Sequence, residues 1–597
     1  MATKRLRILG SEEEYTSSAL RFIKIINLGL VCIALIAVIS LLLQNGFYLN
    51  RTFEQILIRF DFVIILYYLL QFLVKGFCAR NRILYLKRHW FESILALLIL
   101  IELMMMIRFL GLGFLRSYFV NINVTAITEI YIGFAQFLIV LTLIAGGIRY
   151  NTYFTRLRFH PSHMLIASFI GAILCGSGLL MLPRATFPGH PISYVDALFT
   201  AASATCVTGL TVVDTATYFT RFGQLIILCL VQLGGLGIMT VSGFLVMFFG
   251  RGIGIRERVM LQEMLNVEKL GLIVTTIRNI VFLTFGIEIA GALLLMFFWR
   301  GEGWPLGQLV YTSIFHSVSG FCNSGFSTFT DSMCLFSKNA GVLLTLCAVI
   351  FLGGLGFMVI RDLGDMLFSM IRRQKHPYRM KVQSQMVLTI SIILVIAGAV
   401  VFYLLDGMQN HEISMLDSLF MAVATRTAGF SSVEFTHFSA PTLLVFIFLM
   451  FVGGSPSSTG GGIKTTTFGV LVKSILAVVT GQNRIILYRR RIPFLVLNRA
   501  LVVFTFAVSI IGVGSFLLAL TETAPFIDIF FEVTSAFATV GLSCGLCPEL
   551  SPLGKCIIII ILLVGRIGTL TLAYAVTAQT DTGTNRVEYP SESIVVG

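Results

Sequence analysis

The sequence predicts an all-α polytopic membrane protein. Four repeats of helix, short re-entrant helix and helix stand in a pseudo-fourfold arrangement, preceded by about four extra N-terminal helices. Three observations predict it. The first is composition: 57% of the 597 residues are hydrophobic and only 12% are charged, against about 25% charged in ordinary soluble domains. The second is charge placement, because Lys and Arg gather in a few short stretches. The third is repetition: two landmarks recur four times in the same order.

Apolar spans fall at 22–44, 60–78, 91–112, 128–148, 163–184, 222–249, 272–298, 340–360, 385–405, 441–478, 493–520 and 553–577. Most have the length of about 20 residues that crosses a hydrocarbon core, which makes roughly twelve helices. The first span follows "MATKRLRILGSEEEYTSSALRF" without a clear cleavage site, so no cleavable leader is expected. The basic stretches are 75–88, 149–158, 251–258, 372–381 and 484–491. Placing the N-terminus inside puts all five on the cytoplasmic face, the bias that orients helical membrane proteins. The net charge of +14 is therefore read as orientation, not as nucleic-acid binding. Membrane lipid headgroups or a cytoplasmic partner are the counter-charges. The cysteines lie mostly inside apolar spans. Cys544 and Cys547 form a C-x-x-C with no second pair or histidine nearby, which reads as a loop feature, not a metal site.

From residue 163 onward a shorter, weakly apolar segment sits between each pair of spans. The four read "DALFTAASATCVTGL", "TSIFHSVSGFCNSGF", "DSLFMAVATRTAGF" and "DIFFEVTSAFATVGL". Each carries a Phe (Phe199, Phe315, Phe420, Phe531) nine or ten residues before a glycine. The glycines Gly209, Gly325, Gly429 and Gly541 are spaced 116, 104 and 112 residues apart. Farther on, each repeat carries a second signature: "QLGGLG", "FLGGLG", "FVGGSP" and "LVGRIG". Duplicated units of this length in a membrane chain are expected to stack around an axis. The boundaries expected are a helical bundle at 1–155, repeats at 156–260, 261–380, 381–490 and 491–580, and a tail at 581–597.

The segments before the glycines are too short to span, so they enter and leave on one side. Non-helical backbone at that depth is tolerated only beside protein or a watery cavity. Four such turns around an axis meet at one constriction. Glycine allows the close approach and the torsions that turn carbonyls inward, and carbonyl oxygens can replace the hydration shell of a monovalent cation. The helices also aim their negative dipole ends at the cavity. Asp196, Asp417 and Asp528 near the helix starts are expected to cap them, with attraction of cations as the other reading.

The motifs "TCVTGL", "CNSGF", "TRTAGF" and "ATVGL", together with the GG-containing second signatures, resemble the Trk/Ktr/HKT superfamily of potassium transporters, and the likeness is nearest to the bacterial TrkH and KtrB membrane subunits. It covers residues 160 to about 577. The resemblance implies K+ as the transported ion, with no organic cofactor on this chain. K+ is then held by filter carbonyls of Thr205, Cys206, Val207, Thr208 and Gly209, of Cys322, Asn323, Ser324 and Gly325, of Thr427, Ala428 and Gly429, and of Thr539, Val540 and Gly541. It implies K+ selectivity because all four filter positions are glycine, whereas members that favour Na+ often have serine at the first. It further implies a homodimer in the bacterial inner membrane, and a cytosolic RCK-type regulatory subunit, TrkA/KtrA-like, that binds nucleotide. The cytoplasmic stretches 250–271, 361–382 and 481–492 would suit such a partner; a plain lipid-facing basic surface is the alternative.

The third repeat departs from the others. A continuous helix over 441–478 would be about 57 Å long, too long for one crossing. It is interrupted by Gly453, Gly454, Ser455, Pro456, Ser457, Ser458, Thr459, Gly460, Gly461 and Gly462, a composition that cannot remain helical. A polar loop there would obstruct the pore and could move; the resemblance implies the same intramembrane gating loop. Arg566, midway along the last span, is costly in a membrane and should find oxygens, with the loop's carbonyls or hydroxyls as expected partners. Packing of the bundle is the alternative role. Lys464 either adds to the barrier or reaches the inner interface. Arg426 is expected to brace the third turn from behind, since a cation on the axis would repel the transported ion.

Within 1–155 no helix carries Arg at every third position, so a voltage-sensing role is not favoured over a structural one. A secondary carrier for a larger solute is the alternative function; carriers typically show inverted repeats and a midplane pocket. Enzymatic activity is not expected: no H-E-x-x-H, paired-carboxylate or Ser-His-Asp pattern lies in the apolar spans, and His316 reads as a hydrogen-bonded packing residue.

Overall fold

A backbone surrounded by hydrocarbon must satisfy its own hydrogen bonds, and the apolar runs do so as helices. The computed structural model describes residues 36–88, 161–238, 273–372, 378–408, 413–435, 438–482 and 484–568, with isolated positions beside these stretches. Most of the span expected at 91–112, the first half of that at 22–44, the span at 128–148, the stretches 149–158 and 251–258, and the tail at 581–597 lie outside the described residues.

Among the described residues, after a short apolar helix at Ile36–Gly46, the helices in chain order are α1 (Arg51–Cys78), α2 (Arg82–Arg88), α3 (Pro161–Leu180), α4 (Tyr194–Thr205), α5 (Thr215–Tyr218), α6 (Arg221–Leu236), α7 (Ile273–Trp299), α8 (Leu306–Cys322), α9 (Ala340–Leu355), α10 (Phe357–Ile371), α11 (Val382–Phe402), α12 (Met415–Ala424), α13 (Ala440–Phe451), α14 (Thr465–Val479), α15 (Phe494–Thr521), α16 (Phe526–Ala538) and α17 (Pro552–Ile567). Helices α1, α3, α7, α11 and α15 are long and apolar enough to cross a membrane. The N-terminal part is joined to the rest at Arg184, whose N–H donates to Gly46 O (3.0 Å) and whose Nη1 donates to Gln44 O (2.7 Å).

The short helices α4, α8, α12 and α16 fall where the glycine-terminated segments were expected, although α8 extends to 17 residues. Each packs on the long helix before it: α3 with α4, α7 with α8, α11 with α12 and α15 with α16. Each also meets a helix from elsewhere in the chain. α6 packs on α8, α9 on α12, α13 on α16 and, closing the series, α17 on α4. Phe199, Phe315, Phe420 and Phe531 are fully buried at these junctions. Residues such as Phe282, Leu293 and Phe297 point outward from α7, which suits a lipid-facing surface. Lipid tails are as apolar as these side chains, so close packing, not water exclusion, holds such helices together.

Four expectations are corrected. The spans at 222–249, 340–360 and 553–577 are not continuous helices. Each stops at the last glycine of its second signature, Gly237, Gly356 or Gly568, with φ of 81°, 85° and 90°. At Gly356 the direction changes by 106° between α9 and α10. Second, the capping residues are serines. Ser193 and Ser414 accept from the backbone N–H of Asp196 and Asp417, and Asp417 completes a capping box as the third helical residue. Helix α16 starts after Pro525 without a side-chain cap, and Asp528 lies within its first turn. Third, the basic stretch at 484–491 holds an antiparallel hairpin, β1 (Ile486–Leu487) and β2 (Arg490–Arg491), so the fold is mostly, not wholly, helical. Fourth, α1 begins nine residues before the span expected at 60–78.

Candidate functional site

The four turns after α4, α8, α12 and α16 share a construction. In three of them the residue two before the glycine is left-handed: Val207 (φ 58°), Asn323 (60°) and Thr539 (49°). Such backbone costs on the order of 1–3 kcal/mol and persists only where its surroundings over-determine it. A serine six residues before the glycine supplies the restraint. Ser203 O accepts from Thr208 N (2.8 Å) and Ser203 Oγ from Gly209 N (3.1 Å). Ser535 repeats both bonds, with Val540 N (2.9 Å) and Gly541 N (3.1 Å). Ser319 O accepts from Ser324 N (2.9 Å), while Ser319 Oγ donates to Phe326 O (2.7 Å).

The glycines bring the turns together. Gly209, Gly325, Gly429 and Gly541 have φ of 91°, 68°, 72° and 96°, and each faces the carbonyl just before the next glycine. A Cβ on Gly209 would overlap Ser324 O, and one on Gly325 would lie 2.7 Å from Ala428 O. One on Gly429 would overlap Val540 O, and one on Gly541 would overlap Thr208 O. The order of contacts closes on itself. Thr205, Cys206, Val207, Thr208, Cys322, Asn323, Ser324, Thr427, Ala428, Thr539 and Val540 are all buried, whereas the four glycines are half-buried. Not every one of these side chains faces the ring: the Cys322 thiol turns to Gln232 Oε1 at 3.5 Å.

The loop between α13 and α14 lies against this ring. It is closed at its root by Gly453 N to Ile463 O (3.0 Å) and Gly454 N to Gly461 O (3.3 Å). Gly460 abuts the Thr427 side chain and Gly461 abuts Thr539. Ser455 N donates to Gly354 O (3.1 Å) and its hydroxyl to Leu355 O, Thr459 Oγ1 donates to Phe321 O (3.2 Å), and Phe357 N donates to Ser457 O (3.1 Å). The loop is thus fastened to the α9–α10 bend. Gly356 is the residue that permits this, since a Cβ there would stand 2.7 Å from Pro456 O.

Three cations hold the loop. Arg566 donates to Thr459 O and to Gly234 O, joining α17, the loop and α6. Lys464 Nζ folds back to Gly460 O at 2.7 Å. Arg426 Nη2 reaches Gly453 O at 3.4 Å. His316 is buried, with Nδ1 2.8 Å from Thr312 O and its ring stacked on Phe329. Cys547 Sγ donates to Glu532 Oε2 at 3.3 Å, and the described residues contain no cluster of His, Cys, Asp and Glu able to hold a metal.

Residues that the sequence reading passed over complete the site. The three serines carry a visible signal, an identical offset from each glycine. Thr427 Oγ1 and the Asn323 side-chain amide meet at 2.8 Å, tying the second turn to the third. Lys555 Nζ pairs with Asp196 Oδ1 at 2.6 Å, joining α17 to α4; only the folded arrangement reveals a pair 359 residues apart.

Residues 132–585 match the TrkH family, described as "Cation transport protein". The chain is 38% identical over 449 residues to the Ktr system potassium uptake protein B of Bacillus subtilis, covering 74% of this chain and 97% of that one. It is 36% identical to the protein of the same name from Vibrio alginolyticus, covering 73% and 94%. It is 35% identical to the potassium/sodium uptake protein NtpJ of Enterococcus hirae, covering 74% and 98%. The crystal structure of the potassium transporter TrkH from Vibrio parahaemolyticus superposes with a TM-score of 0.57 at 18% identity, covering 71% of this chain and 86% of that one. The fold, the apolar helices and these matches together identify a multi-pass membrane protein that belongs to the TrkH family of cation transport proteins.

Proposed function

We propose that the protein takes up K+ across the cell membrane through the ring formed by Gly209, Gly325, Gly429 and Gly541. The observation that carries this is the closed order of glycine-to-carbonyl contacts, with only the glycines half-buried among the candidate filter residues. Main-chain oxygens on such a ring can stand in for water around a monovalent cation. The four repeats from 156 to 580 are the units around this pore. Inward movement is driven by the membrane potential, about 2.3 kcal/mol per charge per 100 mV. The relatives named as potassium uptake proteins support the choice of ion.

The 453–462 loop with Lys464 is the gate, and Arg566 is its latch. The latch reading rests on the two carbonyls that Arg566 joins across three elements. A cytosolic RCK-type subunit that binds nucleotide regulates opening, and two copies assemble as a homodimer in a bacterial inner membrane. A carrier for a larger solute is disfavoured because the turns present backbone, not a polar side-chain pocket.

Rb+ and Na+ uptake into proteoliposomes tests this. Gly209→Ser places a Cβ on Ser324 O in a backbone conformation that side chains rarely adopt. The expected result is a fall of about tenfold in the preference for Rb+ over Na+, the equivalent of about 1.4 kcal/mol. An unaltered preference contradicts the filter.

A further inference from the structure

The third turn is the one turn of the ring without a serine brace. Val423 occupies the offset held elsewhere by Ser203, Ser319 and Ser535. Thr427 lacks the left-handed conformation of its three counterparts, and Gly429 N reaches only Ala424 O at 3.3 Å. Its own helix holds it through one backbone carbonyl, Ala424 O, which accepts from Thr427 N (3.3 Å) and Ala428 N (2.8 Å) as well, and side-chain support comes from outside that helix. Arg426 Nη2 donates to Gly453 O at 3.4 Å, Gly460 of the loop abuts Thr427, and Thr427 meets Asn323 of the neighbouring turn at 2.8 Å. Arg426 is only 7% exposed, and its Nε has no hydrogen-bond partner. A small cavity lined by Asn323, Val423, Arg426, Thr427 and Gly454 lies there.

The acceptor that Arg426 holds belongs to the root of the loop, where Gly453 N is itself bonded to Ile463 O. A displacement of that root therefore shifts the partner of Arg426 and, one residue on, the Thr427–Gly429 turn. The fourth turn also touches the loop, through Thr539 and Gly461, but Ser535 secures it from within its own helix.

We propose that Arg426 is a positioning residue that couples the loop to the third turn, so that the state of the gate sets how tightly the ring holds and discriminates cations. The proposal rests on the filter and gate described above. Coupling of this kind is reciprocal: whatever the loop does to ion binding, a bound ion does to the loop.

The test uses the full chain in proteoliposomes and reads the half-saturating Rb+ concentration, the maximal rate and the Rb+ over Na+ preference. Arg426→Gln is expected to raise half-saturation about tenfold, within the range of ordinary coupling, and to raise the maximal rate as well. Arg426→Lys, which keeps the charge, is expected to restore part of both. Arg566→Ala releases the loop and is expected to raise half-saturation too. Adding Arg426→Gln to it should change nothing further, because the connection is already broken. Val423→Ser supplies the missing brace and should return half-saturation toward the original value in the Arg566→Ala background while the rate stays high. Additive effects of Arg426→Gln and Arg566→Ala overturn the coupling, as does a failure of Val423→Ser to rescue. If Gly209→Ser leaves the preference unchanged, the filter itself falls; if Gly209→Ser lowers it while the cycle is additive, the coupling alone falls.

Discussion

Val207 and Thr539 are β-branched residues in left-handed backbone, a combination that isolated peptides avoid. Their presence next to half-buried glycines is the mark of a strained site held by its neighbours. The restraint at Thr539 is Ser535, whose hydroxyl accepts from Gly541 N at 3.1 Å. Ser535→Ala leaves that partly buried N–H without its partner, at a cost of about 1 kcal/mol. The expected outcome is a chain that still folds in detergent but shows a lower preference for Rb+ over Na+ in uptake assays. The glycines were legible from their four-fold recurrence and the cation Arg566 from its rarity in an apolar span. The serines carry a weaker signal, a shared offset from three of the glycines, and because hydroxyl residues are common in such segments it is the hydrogen bonds that give Ser203, Ser319 and Ser535 their role.

Helix lengths and positions follow from apolar runs, so the long spans and the interruption after Phe451 could be read directly. The break after Leu355 could not. Gly356 sits in "FLGGLGFMVI", which stays apolar on both sides, and hydropathy carries no information about direction. The 106° bend arises because α9 must stop where the loop packs against it. Here Ser455 bonds the last carbonyls of α9, and Phe357 N bonds Ser457 O. Ser455→Ala removes the one hydroxyl proton that Gly354 O and Leu355 O share, a bond worth about 1 kcal/mol, and keeps the Ser455 N bond to Gly354 O. Basal Rb+ flux is expected to rise several-fold with the Rb+ over Na+ preference less affected than in Gly209→Ser; flux at or below that of the unmodified protein contradicts the role of the bend as the loop's anchor. The hairpin at Ile486–Arg491 was hidden for a different reason: its turn residues, Tyr488 and Arg489, adopt positive φ without the Asn or Gly that usually announces such a turn.

Across the whole molecule, segments far apart in sequence meet: α17 packs on α4, and Lys555 pairs with Asp196. The pair is largely buried, at 14% and 22% side-chain exposure, but without Lys555 the Asp196 carboxylate keeps the bond from Ser193 Oγ at 2.7 Å and some contact with water, which limits the loss. Lys555→Met is expected to lower Tm in detergent by no more than a few degrees, while a fall in ion preference would show that closure of the ring depends on this clasp. The central claim, a dehydrated alkali metal ion held by main-chain oxygens of four glycine turns, is tested most directly by anomalous diffraction from crystals of the protein grown in Tl+ or Rb+. The expected result is anomalous density on the axis enclosed by Gly209, Gly325, Gly429 and Gly541. Ion density confined to other parts of the molecule, with the ring empty, contradicts it.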